Sequence, residues 1–151
     1  MFLAESNEGY KLVRSGDLVI NTMWAWMGAL GVSEVEGIVS PAYGVYEFTD
    51  PEVDSRYFDA LFRSAAYVCE MTRFSKGVWV SRLRLYPDSF LSLRTPFPPI
   101  GQQRRIADQV RELRQEADRL LPLVKKELVL LLERRQALIT AVVTGELEVA
   151  A

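Results

Sequence analysis

Apolar residues in the last third of the chain recur at steps of three and four, from Gln102 to about Thr144. This spacing places them on one narrow stripe of a helix. A stripe sustained over this length is typical of a coiled-coil seam and requires a partner. An extra four-residue step ending at Leu128 shifts the stripe as an inserted stutter would. The residues predicted to face a partner are Ile106, Val110, Leu113, Leu120, Val124, Leu128, Leu131, Leu138 and Val142.

Prolines mark both the start and the weak point of the predicted helix. Pro98 and Pro99 hold the preceding segment extended, because each fixes φ and lacks a backbone donor. Pro122 lies inside the pattern, where a proline costs about 3 kcal/mol and kinks a helix. The sequence therefore predicts either one kinked helix or two helices hinged at Pro122, with the apolar stripe buried against a partner.

Before residue 98, short apolar runs between turn signals predict a smaller mixed domain. The pattern predicts strands at 17–21, 38–41 and 45–48, helices starting at Asp50-Pro51 and Ala65, and a short helix after Pro87. Between the first two strands lies a segment rich in tryptophan and methionine, which fits either core or a contact surface. The expected fold class is a mixed α+β domain followed by a long coiled-coil-type α-helix.

The segment 78–86 alternates with period two, which predicts a strand with Arg82 and Arg84 on the same face. Two neighbouring guanidinium groups repel each other unless an anion lies near them. A DNA phosphate or a guanine edge would serve, since Arg offers a planar fork to either. An acidic neighbour from the first part of the chain is the alternative. Arg73 and Lys76, just before this segment, favour DNA.

The composition is that of a globular protein and disfavours an enzyme. The chain is 49% hydrophobic and 25% charged, and it contains no histidine, the commonest general base and nucleophile partner. Phosphate-binding and dinucleotide-binding glycine motifs are missing from the sequence. We expect no catalytic residues, no metal and no cofactor.

The sequence predicts neither a transmembrane segment nor a signal peptide. Its single cysteine, Cys69, fits a reducing cytoplasm and is expected to be a small buried residue of a helix.

The net charge of −2 is unevenly distributed along the chain. The first sixty residues carry ten acidic residues and three basic ones, whereas residues 61–110 carry eight basic and three acidic ones. A basic middle in an acidic chain fits a nucleic-acid-binding surface. It also fits a solvated surface with uneven charge, so the count alone decides nothing.

With these residues in view, the chain resembles the specificity (S) subunit of type I restriction-modification systems. The passages that resemble its target recognition domain are GDLVIN (16–21), GALG (28–31), GIVSPAY (37–43) and SKG (75–77) with the arginine-bearing segment after it. The passages that resemble the start and end of its helical spacer are PPIGQQRRI (98–106), ERRQALIT (133–140) and VTG (143–145). Together they cover most of the chain in order.

The resemblance implies a partial S subunit, with residues 1–97 as the later part of one target recognition domain and residues 98–147 as its helical spacer. Such a subunit is non-catalytic and cytoplasmic, makes no membrane contact, and reads one half of a bipartite site in double-stranded DNA. Its spacer packs antiparallel against a counterpart, either another S half or a second copy. The resulting frame carries methyltransferase subunits, which use S-adenosylmethionine, and restriction subunits. The candidate DNA contacts are Lys76, Arg82, Arg84, Arg73, Asn21 and Trp24.

Two other interpretations remain open from the sequence. The chain could be an interaction module that pairs through its spacer helix without reading DNA. It could also be a metal-dependent nuclease using Glu34 and Glu36, although these acids share one turn and no lysine motif accompanies them.

Overall fold

The computed structural model describes residues 8–79 and 82–147, which form two units that divide after Asp108. The first unit combines short strands and helices, and the second is helical. The strands are β1 (Lys11–Val13), β2 (Leu18–Asn21), β3 (Leu30–Val32), β4 (Gly37–Val39) and β5 (Tyr43–Tyr46). The α-helices are α1 (Ser55–Phe62), α2 (Ala65–Phe74), α3 (Pro87–Leu91) and α4 (Ile100–Val143), and a 3₁₀ turn spans Ala25–Met27. The predicted fold class, an α+β domain followed by a long helix, is confirmed.

The strands form a three-stranded antiparallel sheet in the order β3-β2-β5 and a two-stranded antiparallel ribbon of β1 and β4. The central strand places Leu18 opposite Val32 on one side and Tyr46 on the other. Leu18 and Ile20 are buried in the core, because alternate residues of a strand point to the same face.

The helices α1 and α2 cover the core with aromatic side chains. The ring of Phe62 contacts those of Tyr67 and Phe90, with centroids 5.5 Å apart in both pairs. The start of α2 is confirmed, because the Ser64 side chain accepts a hydrogen bond from the backbone N–H of Tyr67. The predicted start of α1 at Asp50-Pro51 is wrong.

The segment before α1 is a turn in which the Asp50 carboxylate accepts a hydrogen bond from the N–H of Glu52. The helix itself begins at Ser55, with Asp54 as its N-cap. Asp50 therefore stabilises a local turn, which is the other use that short polar side chains serve at such positions.

Two further predictions are wrong. Cys69 is exposed, because α2 turns Tyr67 and Met71 into the core and leaves position 69 on the outer face. Of the predicted strand over residues 78–86, the described residues 78–79 and 82–86 form a loop instead, and their pairing is an isolated bridge between Arg84 and Lys76. Val80 and Ser81 lie outside the described residues.

The helix α4 is continuous through Pro122, so the predicted alternative of two hinged helices is wrong. Its end carries a complete Schellman motif. Gly145 adopts a φ of 77° and donates to the Val142 carbonyl, while the N–H of Glu146 donates to Ala141. The VTG passage (143–145), which resembles the end of the family's spacer, thus marks the end of α4, because the positive φ at position 145 favours glycine.

Candidate nucleic-acid interface

Three of the four predicted cations, Lys76, Arg82 and Arg84, lie on one loop, and we call its two described legs, residues 76–79 and 82–84, the basic loop. Lys76 and Arg84 exchange two backbone hydrogen bonds of 2.9 Å each, and the N–H of Arg82 donates to Trp79 at 2.8 Å. A Cβ atom at Gly77 would lie 2.6 Å from the carbonyl oxygen of Arg82. The close approach of the two legs therefore requires glycine at this position.

Both ends of the basic loop are anchored to the core. Following the second leg, the N–H of Leu85 donates to the Thr22 carbonyl at 2.8 Å, and the Leu85 side chain is buried. Before the first leg, Ser75 Oγ donates to the carbonyl of Met71, itself fully buried, at 2.7 Å. The loop is thus held against both α2 and the turn after β2.

A concavity of about 440 Å³ separates the basic loop from the turn after β2. Four of the six residues predicted to contact DNA line it together. The full set of lining residues is Met23, Trp24, Lys76, Gly77, Arg82, Leu83, Arg84 and Tyr86. Trp24 is exposed, whereas its neighbour Ala25 belongs to the core, so the tryptophan-rich segment is divided between surface and core.

The cations of this concavity have no acidic partner in the described part of the chain. Within residues 8–79 and 82–147, no carboxylate forms an ion pair with Lys76, Arg82 or Arg84. The three side chains are exposed and share one small surface, where like charges repel. An external anion is therefore the group that this arrangement accommodates.

A second, smaller concavity of about 240 Å³ adjoins the first, because Arg84 and Tyr86 line both. It adds Lys11 and Tyr43, and Lys11 Nζ donates to the backbone carbonyl of Tyr43 at 2.6 Å. Lys11, Tyr43 and Tyr86 are not among the DNA contacts that the sequence predicts. Tyr86 could have been found from its two-residue spacing after Arg84, but nothing in the sequence connects Lys11 to this surface.

The remaining two candidate residues have other surroundings. Asn21 is only 5% exposed, and its Oδ1 accepts a hydrogen bond from the N–H of Met23 at 3.1 Å, so it shapes the turn that carries Trp24. Arg73 pairs with Glu70 at 2.8 Å, and its guanidinium lies 5.0 Å from the centre of the Phe74 ring.

The predicted partner stripe is largely exposed on α4. Ile106 packs against the core of the first unit, and Val110 is half-buried. The open part of the stripe therefore consists of Leu113, Leu120, Val124, Leu128, Leu131, Leu138 and Val142. Further apolar side chains off the stripe are also exposed, namely Leu123, Val129, Leu130 and Leu132. Over residues 128–132, the helix therefore carries exposed apolar side chains on every side.

Two features are missing from the described residues. In residues 8–79 and 82–147, no group of three or more cysteine or acidic side chains is arranged to hold a metal ion. Across the same ranges, none of the helices has the length and apolarity that crossing a membrane requires.

The fold, a small α+β domain that continues into a long helix, is also found among solved structures. The chain is similar to the HsdS subunit from Thermoanaerobacter tengcongensis, with a TM-score of 0.65 and 22% sequence identity. The match covers 84% of this chain and 34% of that subunit, so the chain spans about a third of its length. The resemblance to specificity subunits is thereby confirmed at the level of the fold.

Comparisons by sequence add nothing to the structural match. No protein-family model matches the chain. No curated protein matches it either.

Proposed function

We propose that the chain is a non-catalytic DNA-recognition component of a type I restriction-modification complex. Residues 1–97 serve as the later part of a target recognition domain, and residues 98–147 serve as the helical spacer. The observation that carries this proposal is the group of cations Lys76, Arg82 and Arg84 beside Trp24, which form no ion pair with any carboxylate of the described residues. The loop that carries them is anchored to the core. The shared fold with HsdS supports it.

The basic loop suits double-stranded DNA because its three cations lie close together on one concave surface. Lysine binds phosphate as a point charge, whereas arginine offers two parallel donors to a phosphate or a guanine edge. Phosphate contacts fix the position of the protein and base contacts select the sequence. A half-site read by this face requires both kinds of contact.

The helix α4 supplies the second half of the proposed function. Its open stripe buries against another S half or a second copy of this chain, as coiled-coil seams do. One such partner covers one side of the helix. The apolar residues on its other sides, around Val129 and Leu130, fit additional contacts with methyltransferase and restriction subunits. Because its substrate is genomic DNA, we place this complex in the cytoplasm.

The test is DNA footprinting of the full chain co-purified with the methyltransferase subunit of a type I system from the same genome. We expect a protected bipartite or palindromic site. The double variant Arg82→Gln, Arg84→Gln should bind at least about tenfold more weakly, and the slope of log affinity against log salt should fall by about 2, near 0.9 for each lost phosphate contact.

The matched control is the double variant Arg104→Gln, Arg105→Gln, which removes two exposed, adjacent arginines from the start of α4. It should leave the salt slope within error of the wild type. An unchanged slope in the Arg82, Arg84 variant would contradict the proposal. Co-purification without any footprint would instead favour the second candidate, an interaction module that assembles through the exposed stripe and reads no DNA.

A further inference from the structure

The tip of the basic loop carries two neighbouring apolar side chains that are open to solvent. Val78 is 93% exposed and Trp79 is 68% exposed, the most exposed tryptophan of the chain. They follow directly after Lys76 and Gly77. Large aromatic surface left in water is unfavourable and marks interaction sites when it is grouped. The tip, formed by Val78 and Trp79, is therefore a candidate contact site.

Backbone hydrogen bonds hold the two described legs of the loop together. Lys76 and Arg84 pair at the base, and the N–H of Arg82 donates to the carbonyl of Trp79, which ties Trp79 to the second leg. A backbone held at both ends of the first leg loses less conformational entropy on binding than a free segment would.

The charge around the tip selects the chemistry of the partner. Cations stand on both legs, Lys76 before the tip and Arg82 after it, and the described residues provide neither with an acidic partner. The partner must therefore present negative charge on either side of an apolar interior. A DNA groove has this arrangement, with phosphates along both edges and stacked bases between them.

The concavity beside the tip favours DNA over a lipid surface. Lys76, Arg82 and Arg84 line a recessed surface together with Trp24. A convex sugar-phosphate backbone can reach all three cations at once. A flat bilayer surface would contact the projecting tip but would leave the recessed charges unpaired.

We infer that Val78 and Trp79 form a wedge that enters a DNA groove and partly unstacks one base step. This inference rests on the proposed function and adds a mode of recognition to it. Apolar side chains that enter grooves kink the duplex, and the cost of the kink depends on the sequence being deformed. The wedge thus lets the protein favour flexible pyrimidine–purine steps without hydrogen bonds to their bases.

The test uses the full chain co-purified with its methyltransferase subunit, and duplexes that this complex selects from a randomised library. The adenine analogue 2-aminopurine, whose fluorescence rises when it is unstacked, replaces adenine at successive positions of the selected site. We expect increased fluorescence at one step with the wild type. Trp79→Ala should abolish the increase and weaken binding about tenfold, with the salt slope unchanged because no cation is removed.

Trp79→Phe should restore most of the fluorescence increase, and Leu91→Ala is the matched control because Leu91 is 69% exposed and lies outside both concavities. Salt-dependent binding by the wild type without increased fluorescence at any step overturns the wedge and leaves the proposed function standing. If the wild type selects no duplex, both proposals fail. Sedimentation of the wild type, but not of Trp79→Ala, with phosphatidylglycerol vesicles also overturns the wedge.

Discussion

The side chain of Gln103 accepts a hydrogen bond of 2.9 Å from the backbone N–H of Asp54, which is the N-cap of α1. Its amide nitrogen donates to the carbonyls of Glu52, at 3.0 Å, and Pro98, at 2.8 Å. Gln103 is fully buried. One amide therefore joins the first turns of α4 to the start of α1, both within the first unit.

We predict that Gln103→Ala lowers the free energy of unfolding by about 2–4 kcal/mol, because it leaves three partly buried backbone groups without the hydrogen bonds that Gln103 makes to them. Urea denaturation followed by tryptophan fluorescence measures this change. The control is Gln102→Ala, an exposed neighbour on the same helix, which should shift stability by no more than about 0.5 kcal/mol. Equal effects of the two substitutions would show that the Gln103 hydrogen bonds contribute nothing.

The ion pair at the start of α1 predicts a dependence of stability on pH. Hydrogen bonds from the Arg56 side chain, at 2.6 and 3.0 Å, hold the pKa of the Asp54 carboxyl below its usual value. Because folding lowers this pKa, the stabilisation is fully present above the unfolded pKa of about 3.9 and is lost as the pH falls through the folded pKa.

Asp54→Asn tests this linkage, because asparagine keeps the capping acceptor and removes the charge. Arg56 is about half exposed, so we expect a loss of only about 0.5–1 kcal/mol at pH 7. The difference between variant and wild type should shrink as the pH is lowered below about 4. Denaturation curves across the acidic range provide the measurement, and a difference that does not vary with pH would refute the linkage.

Local signals explain why much of this fold could be predicted from sequence. The Ser64 cap, the buried strand around Leu18 and the 3–4 spacing of α4 each depend on residues close together in the chain. The features that the sequence does not predict depend on contacts between residues far apart in the chain. The structural role of Gln103 cannot be predicted from its neighbours in the sequence, because its partners Glu52 and Asp54 lie 51 and 49 residues away.

In the candidate interface, too, the features that depend on neighbouring residues could be predicted from the sequence, and those that depend on distant contacts could not. The two-residue alternation predicts Arg82 and Arg84 on one face, and both are exposed and line the same concavity, although the described residues of this segment form a loop and not a strand. The approach of Trp24 to these cations depends on the bond between Leu85 and Thr22, which joins segments more than sixty residues apart in the sequence. No local pattern records such a contact.

Gly77 offers a test of the loop geometry that removes no cation. Gly77→Ala would place a Cβ atom against the backbone of Arg82, so the legs must separate and the cations must move. We predict about tenfold weaker DNA binding, since small displacements disrupt paired charge contacts. Titration of labelled duplex measures it. Gly37→Ala is the control, because among the described residues, its two chain neighbours aside, no atom lies within 4 Å of the added Cβ, and it should bind as the wild type does.

The partner stripe of α4 can be tested with two adjacent residues of nearly equal exposure. Leu128 is 56% exposed and lies on the stripe, whereas Val129 is 52% exposed and lies about 100° further round the helix axis. Leu128→Glu should weaken pairing with a second copy or another S half at least about tenfold, because a buried leucine contributes about 1.5–3 kcal/mol and a buried charge costs more.

Sedimentation equilibrium of the full chain measures this pairing, and circular dichroism confirms that the helix content is unchanged. Val129→Glu should leave pairing intact but weaken co-purification with the methyltransferase subunit, if that subunit covers the side of the helix on which Val129 lies. Equal loss of pairing in both variants would contradict a single seam. It would mean instead that copies of the chain surround the apolar middle of α4 on every side, because only then would position 129 face another copy.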